Sequence, residues 1–121
     1  MKTALIIEDN ENNMALMCFI LEHHGFRVLR AVTGRSGVEM SKSADYDFIL
    51  LDIQLPDIDG LEVLRQVREA GITKPVIAVT SHAMTGDRAR LLAAGCNGYL
   101  EKPIDPARII DQIHANLGTE R

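Results

Sequence analysis

The sequence predicts an α/β fold built on an open parallel β-sheet, and three observations lead to this prediction. Apolar runs of strand length alternate with segments of helical period about five times along the chain. Two of these runs, Phe48 to Leu51 and Val76 to Val79, are continuously apolar, as expected for central strands that are covered on both faces. Polar residues directly follow several runs, at the strand ends where open parallel sheets bind their ligands.

The first part of the chain predicts two strands and two helices. The first strand is Thr3 to Ile7. A helix follows from about Glu11 to His24, and Gly25 ends it because glycine readily adopts the left-handed conformation at a helix C-terminus. The second strand is roughly Arg27 to Ala31, and a weaker helix runs from about Ser36 to Ser43.

The middle of the chain predicts a third strand and helix. The strand Phe48 to Leu51 leads through a turn with Pro56 and Gly60 into a helix from Leu61 to Ala70, which Gly71 ends. Proline and glycine favour such turns because proline fixes φ and glycine accepts positive φ values.

The last part predicts two further strands and helices. The strand Val76 to Val79 precedes a helix from about Asp87 to Ala94. The fifth strand lies near Gly98 to Leu100, and Pro106 is expected in the first turn of a last helix that ends near Leu117.

Length and charge limit the possible functions. A chain of 121 residues, 46% of them hydrophobic, predicts one domain, 1–121, with a sizeable core and no output domain. The 13 Lys and Arg against 17 Asp and Glu give a net charge of -4. The basic surface that nucleic-acid binding requires is therefore not expected.

The amino-terminal segment and the cysteines predict the compartment. The apolar stretch after Met1 is too short for a signal peptide or a membrane span, so we expect a cytoplasmic protein that does not enter the membrane. Cys18 and Cys96 match no metal-ligand spacing and are expected to be buried or partly buried thiols.

Three carboxylates are predicted to meet at the carboxyl ends of the first and third strands. Glu8 and Asp9 follow the first strand, and Asp52 follows the third. Two such charges about 4 Å apart repel by about 1 kcal/mol in water and by about 4 kcal/mol at an effective dielectric constant of about 20, so a cation is expected. Hard oxygen ligands favour Mg²⁺. Glu8 or Asp9 alone would be better explained as a helix cap facing solvent, but the convergent set is not.

Asp52, Thr80 and Lys102 are the candidates for handling a phosphoryl group. Asp52 ends a rigid apolar strand, and carboxylates act as nucleophiles toward phosphoryl groups, so it is the candidate covalent acceptor. Thr80 offers a hydroxyl group and Lys102 a compact positive charge to phosphoryl oxygens. Ordinary alternatives are that Thr80 only ends a strand and that Lys102 is solvated.

At these residues the chain resembles the receiver domain of two-component response regulators over essentially its whole length. The family pattern is an acidic pair after strand one, a phosphoacceptor Asp after strand three, Thr or Ser after strand four, an aromatic residue in strand five and Lys-Pro after it. The residues in these positions are Glu8-Asp9, Asp52, Thr80, Tyr99 and Lys102-Pro103. Typical flanking stretches are Glu8-Asp9-Asn10, Asp52-Ile53-Gln54-Leu55-Pro56, Asp59-Gly60 and Ala94-Gly95. Each motif is weak alone, but together and in order they are highly specific.

The resemblance implies a doubly wound, flavodoxin-like sheet of five parallel strands in the order 2-1-3-4-5, with five helices. It implies that Asp52 takes a phosphoryl group from a phosphohistidine of a histidine kinase or a histidine phosphotransfer protein. It also implies Mg²⁺ held by Asp9, Asp52 and the backbone carbonyl of Gln54, with Glu8 in the same cluster, and a cis bond between Lys102 and Pro103. Such a protein is a switch with at most slow autodephosphorylation, not an enzyme.

The resemblance also implies how phosphorylation is transmitted. In receivers the Thr hydroxyl turns toward the phosphoryl group and the strand-five aromatic moves into the space behind it, which assigns Thr80 and Tyr99 as switch residues. The surface expected to change comprises the helix around 88–92, strand five and the last helix near 108–112. This surface would contact a downstream protein, with the receiver as a monomer or a weak phosphorylation-dependent dimer. A Tyr99 buried only as part of the core would look the same in sequence.

Within the family, the chain most resembles the stand-alone receivers of bacterial cell-cycle phosphorelays and the receivers of hybrid histidine kinases. The motifs that carry this likeness are Asn12-Asn13-Met14 after the acidic pair, and Ala83-Met84 and Gly86-Asp87 after Thr80. A stand-alone protein and a receiver fragment of a hybrid kinase both remain possible readings of the sequence.

The first predicted helix carries more apolar residues than one buried stripe needs. The residues with core spacing are Leu16, Met17, Ile20 and Leu21. The apolar residues left partly spare are Met14, Ala15, Cys18 and Phe19. Receivers pack this helix against the phosphotransfer bundle, so Met14, Cys18 and Phe19 are candidate docking residues. Packing of both stripes within the monomer is an equally good explanation.

His82 could be taken for a general base, but it is expected to tune how water reaches the acyl phosphate, as its position does in receivers. Gln54 is expected to do the same from the other side. Replacing His82 should change the lifetime of the phosphorylated state without preventing its formation. The histidines that show no metal-ligand spacing and read as surface or boundary residues are His23, His24 and His114.

Two other protein classes use a similar sheet. An aspartyl-nucleophile phosphohydrolase places a second Asp two residues after its nucleophile, where this chain has Gln54, which cannot shuttle a proton. The chain is also too short to include a substrate-capping domain. A flavodoxin-like electron carrier needs hydroxyls and glycines after strand one to bind a phosphate, whereas Glu8-Asp9-Asn10 would repel one.

Overall fold

Five strands and five helices alternate along the chain in the computed structural model. The structure describes the backbone of residues 2–81 and 85–118. It describes the side chains of the same residues except 85–88. In chain order the elements are β1 (Thr3–Ile7), α1 (Glu11–His23), β2 (Arg27–Ala31), α2 (Gly34–Ser43), β3 (Phe48–Asp52), α3 (Gly60–Glu69), β4 (Val76–Thr80), α4 (Thr85–Ala93), β5 (Gly98–Glu101) and α5 (Ile109–Leu117).

The strands form one parallel sheet in the order β2-β1-β3-β4-β5, which confirms the predicted doubly wound topology. The order reverses between β1 and β3, because the chain passes from β1 outward to β2 and then back across to β3. Ligands of open α/β sheets bind in the crevice at such a reversal, beyond the carboxyl ends of the strands. Ile7 pairs with Leu51 in register, so the residues that follow β1 and end β3 lie side by side.

Apolar side chains of the sheet alternate between two cores, because successive residues of a strand face opposite sides. On one side, Ala4 and Ile6 of β1 join a buried cluster with residues of α1 and α5. On the other side, Leu5 and Ile7 join a cluster with residues of α2, α3 and α4. All five residues of β3 and all five of β4 are buried, which confirms the prediction for the apolar runs 48–51 and 76–79 and adds the polar residues Asp52 and Thr80 that end the two strands.

The starts of four helices differ from the sequence prediction, by one residue at α3, which begins at Gly60, and by more at α2, α4 and α5. Helix α2 begins at Gly34 instead of Ser36, because Thr33 and Ser36 form a reciprocal capping box around its first turn. Helix α4 begins at Thr85 instead of Asp87. Helix α5 begins at Ile109, so Pro106 lies in the preceding turn and not in the first turn of the helix.

Positive φ angles occur where the helices α1 and α3 end, at Gly25 and Gly71, as predicted.

In the described parts of the chain, no helix combines the length and apolar character needed to cross a membrane.

Candidate functional site

Asp52 is the last residue of β3, and its side chain is only 2% exposed. The chain leaves the sheet in a fixed way, because the N–H of Ile53 donates to the carbonyl of Val79 at 3.2 Å. The N–H of Gln54 then donates to Oδ1 of Asp52 at 2.9 Å. The local turn therefore orients the carboxylate.

Glu8 and Asp9 lie beside Asp52 because β1 pairs with β3. The N–H of Glu8 donates to the carbonyl of Ala31 at 3.0 Å, which extends the β1–β2 ladder by one residue. Glu8 is buried and Asp9 is exposed. One oxygen from each of the three carboxyl groups of Glu8, Asp9 and Asp52 lies within 4.8 Å of the others. The structure thus brings together the acidic residues that the sequence singled out.

Lys102 supplies positive charge to the same crevice. Its N–H donates to the carbonyl of Thr80 at 2.8 Å, and the Lys102-Pro103 peptide bond is cis, as the resemblance implied. Its Nζ lies 3.2 Å from Oδ1 of Asp52 and 3.7 Å from Oε1 of Glu8, and the side chain is largely buried. One ammonium group therefore faces two buried carboxyl groups.

Glu8 is the least satisfied member of the cluster. Its Oε2 accepts a hydrogen bond from the N–H of Asn10 at 3.2 Å, but the buried Oε1 has no hydrogen-bond partner among the residues that the structure describes. Burial first, and then the neighbouring Asp52 side chain, raise the pKa of Glu8 from 4.5 to about 7, against the lowering effects of Asn10 and Lys102. A buried acid with an unpartnered oxygen is a polar group that a bound cation would satisfy.

The donor set fits Mg²⁺. Three carboxyl groups converge, and carboxylate and carbonyl oxygens are hard ligands that suit this ion. The exposure of Asp9 leaves one side of the cluster open to solvent, as an ion that retains several waters requires. Glu8, Asp9 and Asp52 are the side chains that would hold the metal, together with the expected carbonyl of Gln54.

Thr80 and Tyr99 lie on neighbouring strands at the same edge of the sheet. Thr80 ends β4 and is buried, and it pairs in register with Glu101. Tyr99 is half-buried and packs against the cluster that includes Leu91 of α4.

A cavity of about 180 Å³ separates the start of α3 from α4. Its lining residues are Ile53, Gln54, Asp59, Leu61, Thr80, Arg90 and Leu91.

The side chain of Gln54 is held by a residue that the sequence reasoning missed. The hydroxyl of Ser81 donates to Oε1 of Gln54 at 3.1 Å, which links the loop after β3 to the loop after β4. The hydroxyl directly after Thr80 was the signal that could have identified Ser81. His82, expected to tune water access, lies outside the described residues.

The apolar residues that helix α1 leaves exposed are not all the ones that the sequence predicted. Met14 and Cys18 are buried in the core with α5, so the prediction that they would be partly spare is wrong. The reason is geometric, because α1 is covered by α5 as well as by the sheet and its buried stripe is wide. Phe19 is 71% exposed and stacks on His23, with ring centroids 6.2 Å apart. His23 and His24 are exposed and His114 is half-buried, as expected.

Comparisons with known proteins agree with this geometry. A family model described as the response regulator receiver domain matches residues 4–114. The polar-differentiation response regulator DivK of Brucella ovis is 40% identical over 119 residues, which cover 97% of each chain. The protein of the same name from Brucella anthropi is also 40% identical over 119 residues, with the same coverage.

Solved structures repeat the fold. The receiver domain of a sensor histidine kinase from Pseudomonas aeruginosa, with a magnesium ion coordinated in its active-site cleft, is 35% identical, with a TM-score of 0.86 and coverage of 98% of each chain. A receiver domain protein from Methanospirillum hungatei is 29% identical, with a TM-score of 0.88 and coverage of 98% of this chain and 94% of that one. A chemotaxis response regulator of Vibrio cholerae, 24% identical with a TM-score of 0.90, shares the fold.

Proposed function

This chain belongs to the response regulator receiver domain family of two-component signalling, and from that premise we propose that it is a switch phosphorylated on Asp52. The donor is a phosphohistidine on a histidine kinase or a histidine phosphotransfer protein. One observation carries the proposal: Asp52 ends β3 in a crevice shared with two further carboxyl groups and the ammonium group of Lys102.

Phosphorylation requires Asp52 to act as a nucleophile. A carboxylate oxygen of Asp52 forms a bond to phosphorus, the bond from phosphorus to the histidine nitrogen of the partner breaks, and its electron pair stays on the imidazole. The N–H of Gln54 and the Nζ of Lys102 both donate to Oδ1 of Asp52, so two donors hold the carboxylate in place. Lys102 is also placed to bind a phosphoryl oxygen.

Mg²⁺ is the proposed cofactor, held by Glu8, Asp9, Asp52 and the backbone carbonyl of Gln54. When bound, it shields the incoming phosphoryl oxygens from the carboxylates. Oε1 of Glu8, which accepts no hydrogen bond from the described residues, and the convergence of three carboxyl groups support this assignment. The magnesium ion in the related kinase receiver supports it independently.

Thr80 and Tyr99 are the proposed switch residues. Thr80 would donate its hydroxyl to a phosphoryl oxygen, and Tyr99 would then move inward toward the space that Thr80 leaves. The packing of Tyr99 against the cluster that includes Leu91 of α4 supports a link between this tyrosine and α4. The affected surface consists of α4, β5 and α5, and it would be read by a downstream protein.

Gln54 is proposed to control the lifetime of the acyl phosphate, together with His82. Its carboxamide cannot act as a general base toward water. Its hydrogen bond from Ser81 ties the side chain to the loop after β4. We expect the phosphorylated state to persist long enough to signal.

Partner choice is proposed from the surface of α1. Phe19 is the remaining docking candidate, because Met14 and Cys18 are buried. We propose that the receiver, 1–121, acts in the cytoplasm as a monomer or a weak phosphorylation-dependent dimer, without binding nucleic acid or entering the membrane. Similarity to a stand-alone regulator and to a kinase receiver supports two settings for it, a stand-alone protein or part of a hybrid kinase.

Phosphohydrolase activity is the rival function. It would need a proton-shuttling group two residues after Asp52, and Gln54 does not provide one.

Acetyl phosphate with Mg²⁺ tests the proposal. We expect one phosphoryl adduct per chain by intact-mass spectrometry. The adduct should not form when EDTA is present from the start, nor in Asp52→Asn, whose side chain has the same shape. Phosphate release over many turnovers from unrelated phosphoesters would overturn the proposal in favour of the hydrolase.

A further inference from the structure

We propose that Asp57 is a positioning residue for the metal site, because its carboxylate ties the loop after β3 to the N-terminus of α2. This inference rests on the proposed function, in which the carbonyl of Gln54 in that loop is a metal ligand. Asp57 touches no reacting group, and it would act through the loop that carries Gln54.

The tie consists of two hydrogen bonds from backbone donors. The N–H of Gly34 donates to Oδ1 of Asp57 at 2.8 Å, and the N–H of Arg35 donates to Oδ2 at 2.9 Å. Each carboxylate oxygen thus accepts one hydrogen bond. In sequence, Gly34 lies 23 residues and Arg35 lies 22 residues before Asp57. Such a bidentate arrangement fixes both the position and the orientation of the loop.

Asp57 completes the capping of α2, which explains why the site favours a carboxylate. The first N–H groups of a helix have no partner within the helix. At α2, Asp57 accepts from the first two of these groups, and the hydroxyl oxygen of Thr33 accepts from the N–H of Ser36. The positive end of the helix dipole also favours an anion here.

The charge state of Asp57 agrees with this role. Desolvation alone would raise its pKa, but backbone hydrogen bonds, from Arg35 and Gly34 first, bring it below its ordinary value. Nε of Arg35 lies 4.0 Å from Oδ2 of the same carboxylate. Asp57 is therefore charged at neutral pH.

Gly34 allows the close approach on which the tie depends. A Cβ atom at residue 34 would lie 2.5 Å from Cγ1 of Ile58 and 3.0 Å from Cγ2 of Val63. The amino-terminal end of α2 thus packs directly on the loop and on α3, so that movement of the loop would have to break packing as well as hydrogen bonds.

Other hydrogen bonds hold the two ends of the loop between β3 and α3, so Asp57 contributes only to its middle. At its start, the N–H of Gln54 donates to Asp52. At its end, the N–H of Gly60 donates to the carbonyl of Ile53 at 3.0 Å, and Asp59 caps α3. Asp57 lies between these points and joins the loop to a different helix. Loss of Asp57 should leave β3 and α3 in place while the segment that carries the Gln54 carbonyl gains freedom.

Magnesium titration by isothermal calorimetry tests the inference, with Mg²⁺ alone as the ligand. We expect Asp57→Ala to weaken Mg²⁺ binding on the order of 10-fold, the size typical of residues that orient metal ligands. Thr33→Ala is the matched control, because it removes a side-chain cap from the same end of α2 and keeps both backbone donors to Asp57. It should lower thermal stability similarly and leave Mg²⁺ affinity within about twofold.

A second variant and a second measurement keep the test decisive. Asp57→Asn keeps the size of the side chain but turns one acceptor into a donor facing a backbone N–H. It should also weaken Mg²⁺ binding, and it tests the inference if Asp57→Ala does not fold. Amide hydrogen exchange at residues 54–58 of the metal-free protein should be faster in both Asp57 variants than in Thr33→Ala. Equal Mg²⁺ affinity in the Asp57 and Thr33 variants would overturn the inference. Failure of the unmodified protein to bind Mg²⁺ would instead overturn the proposed function.

Discussion

Nζ of Lys102 lies 3.2 Å from Oδ1 of Asp52, although the two residues are 50 positions apart in the chain. The same ammonium group lies 3.7 Å from Oε1 of Glu8. In the metal-free protein, one ammonium group therefore lies beside two buried carboxyl groups. Lys102 occupies the crevice that we propose for Mg²⁺ and the phosphoryl group, so its replacement should affect both.

Lys102→Met is expected to tighten Mg²⁺ binding and to slow phosphorylation by acetyl phosphate. Removal of a nearby positive charge lessens repulsion of the ion, by about 1 to 2 kcal/mol after screening, or roughly 10-fold in Kd. Calorimetric titration measures the first effect and intact-mass kinetics the second. Lys42→Met, which changes an exposed lysine in the last turn of α2, is the control and should alter neither. Unchanged or weaker Mg²⁺ binding in Lys102→Met would contradict the electrostatic assignment.

The stability of the metal-free protein is expected to fall as the pH rises through 7. The pKa of Glu8 is raised from 4.5 to about 7 in the folded protein. The folded state therefore holds a proton that the unfolded chain releases near pH 4.5. This contribution is fully present below pH 4.5 and lost above about pH 7, and it amounts to about 3 kcal/mol.

Urea unfolding in EDTA at several pH values from 5 to 8 measures this dependence. Glu8→Gln, which cannot ionise, should show a flatter profile over the same range. Saturating Mg²⁺ should oppose the loss at high pH, because it binds the charged carboxylate. A metal-free protein that becomes more stable between pH 5 and 8 would refute the assignment to Glu8.

Phe19→Ala should separate docking from stability. Phe19 is 71% exposed, so its truncation should change the free energy of unfolding by less than about 0.5 kcal/mol. Phosphotransfer from the partner phosphohistidine should nevertheless slow, while phosphorylation by acetyl phosphate stays unchanged. Val32→Ala, at another exposed apolar residue, is the control. Unaltered partner phosphotransfer would exclude Phe19 from the docking surface.

Met14→Ala should give the opposite result to Phe19→Ala. Met14 is 6% exposed and belongs to the core between α1 and the sheet. Its truncation should cost about 2 to 5 kcal/mol of unfolding free energy, measured by chemical denaturation, through lost burial and the cavity left behind. A cost below about 0.5 kcal/mol would show that Met14 is not packed as the structure has it.

Cys18 and Cys96 should react slowly with thiol reagents while the protein is folded. Both are buried, and burial raises the pKa of each thiol, which lowers the fraction of reactive thiolate. Reaction with Ellman's reagent should therefore release little colour until urea unfolds the chain. Rapid reaction of one thiol per chain under native conditions would contradict the placement of that cysteine.

The sequence predicted the sheet well because the information it needed was local. Continuous apolar runs at β3 and β4 marked the buried central strands, and glycines marked the ends of α1 and α3. Helix starts were less accurate where side-chain hydrogen bonds decide them. Helix α2 starts earlier than predicted because of the Thr33 and Ser36 capping box. Helix α5 starts only at Ile109, because Pro106 lies in a turn before it.

The identities of the site residues were also available in the sequence. The order of strand-end residues Glu8, Asp9, Asp52, Thr80 and Lys102 was enough to recognise a receiver. The likeness supplied the strand order and the cis bond before Pro103, which local patterns do not contain. The structure confirms both.

Only the tertiary structure decided how these residues meet and which neighbours support them. The raised pKa of Glu8, the burial of Met14 and Cys18, and the bonds of Asp57 to Gly34 and Arg35 depend on chain segments far apart in sequence. Periodicity records which residues avoid water, because burial of a stripe repeats along an element. It does not record which element covers that stripe, and the cover determines whether an apolar residue packs in the core or a carboxylate finds its partner.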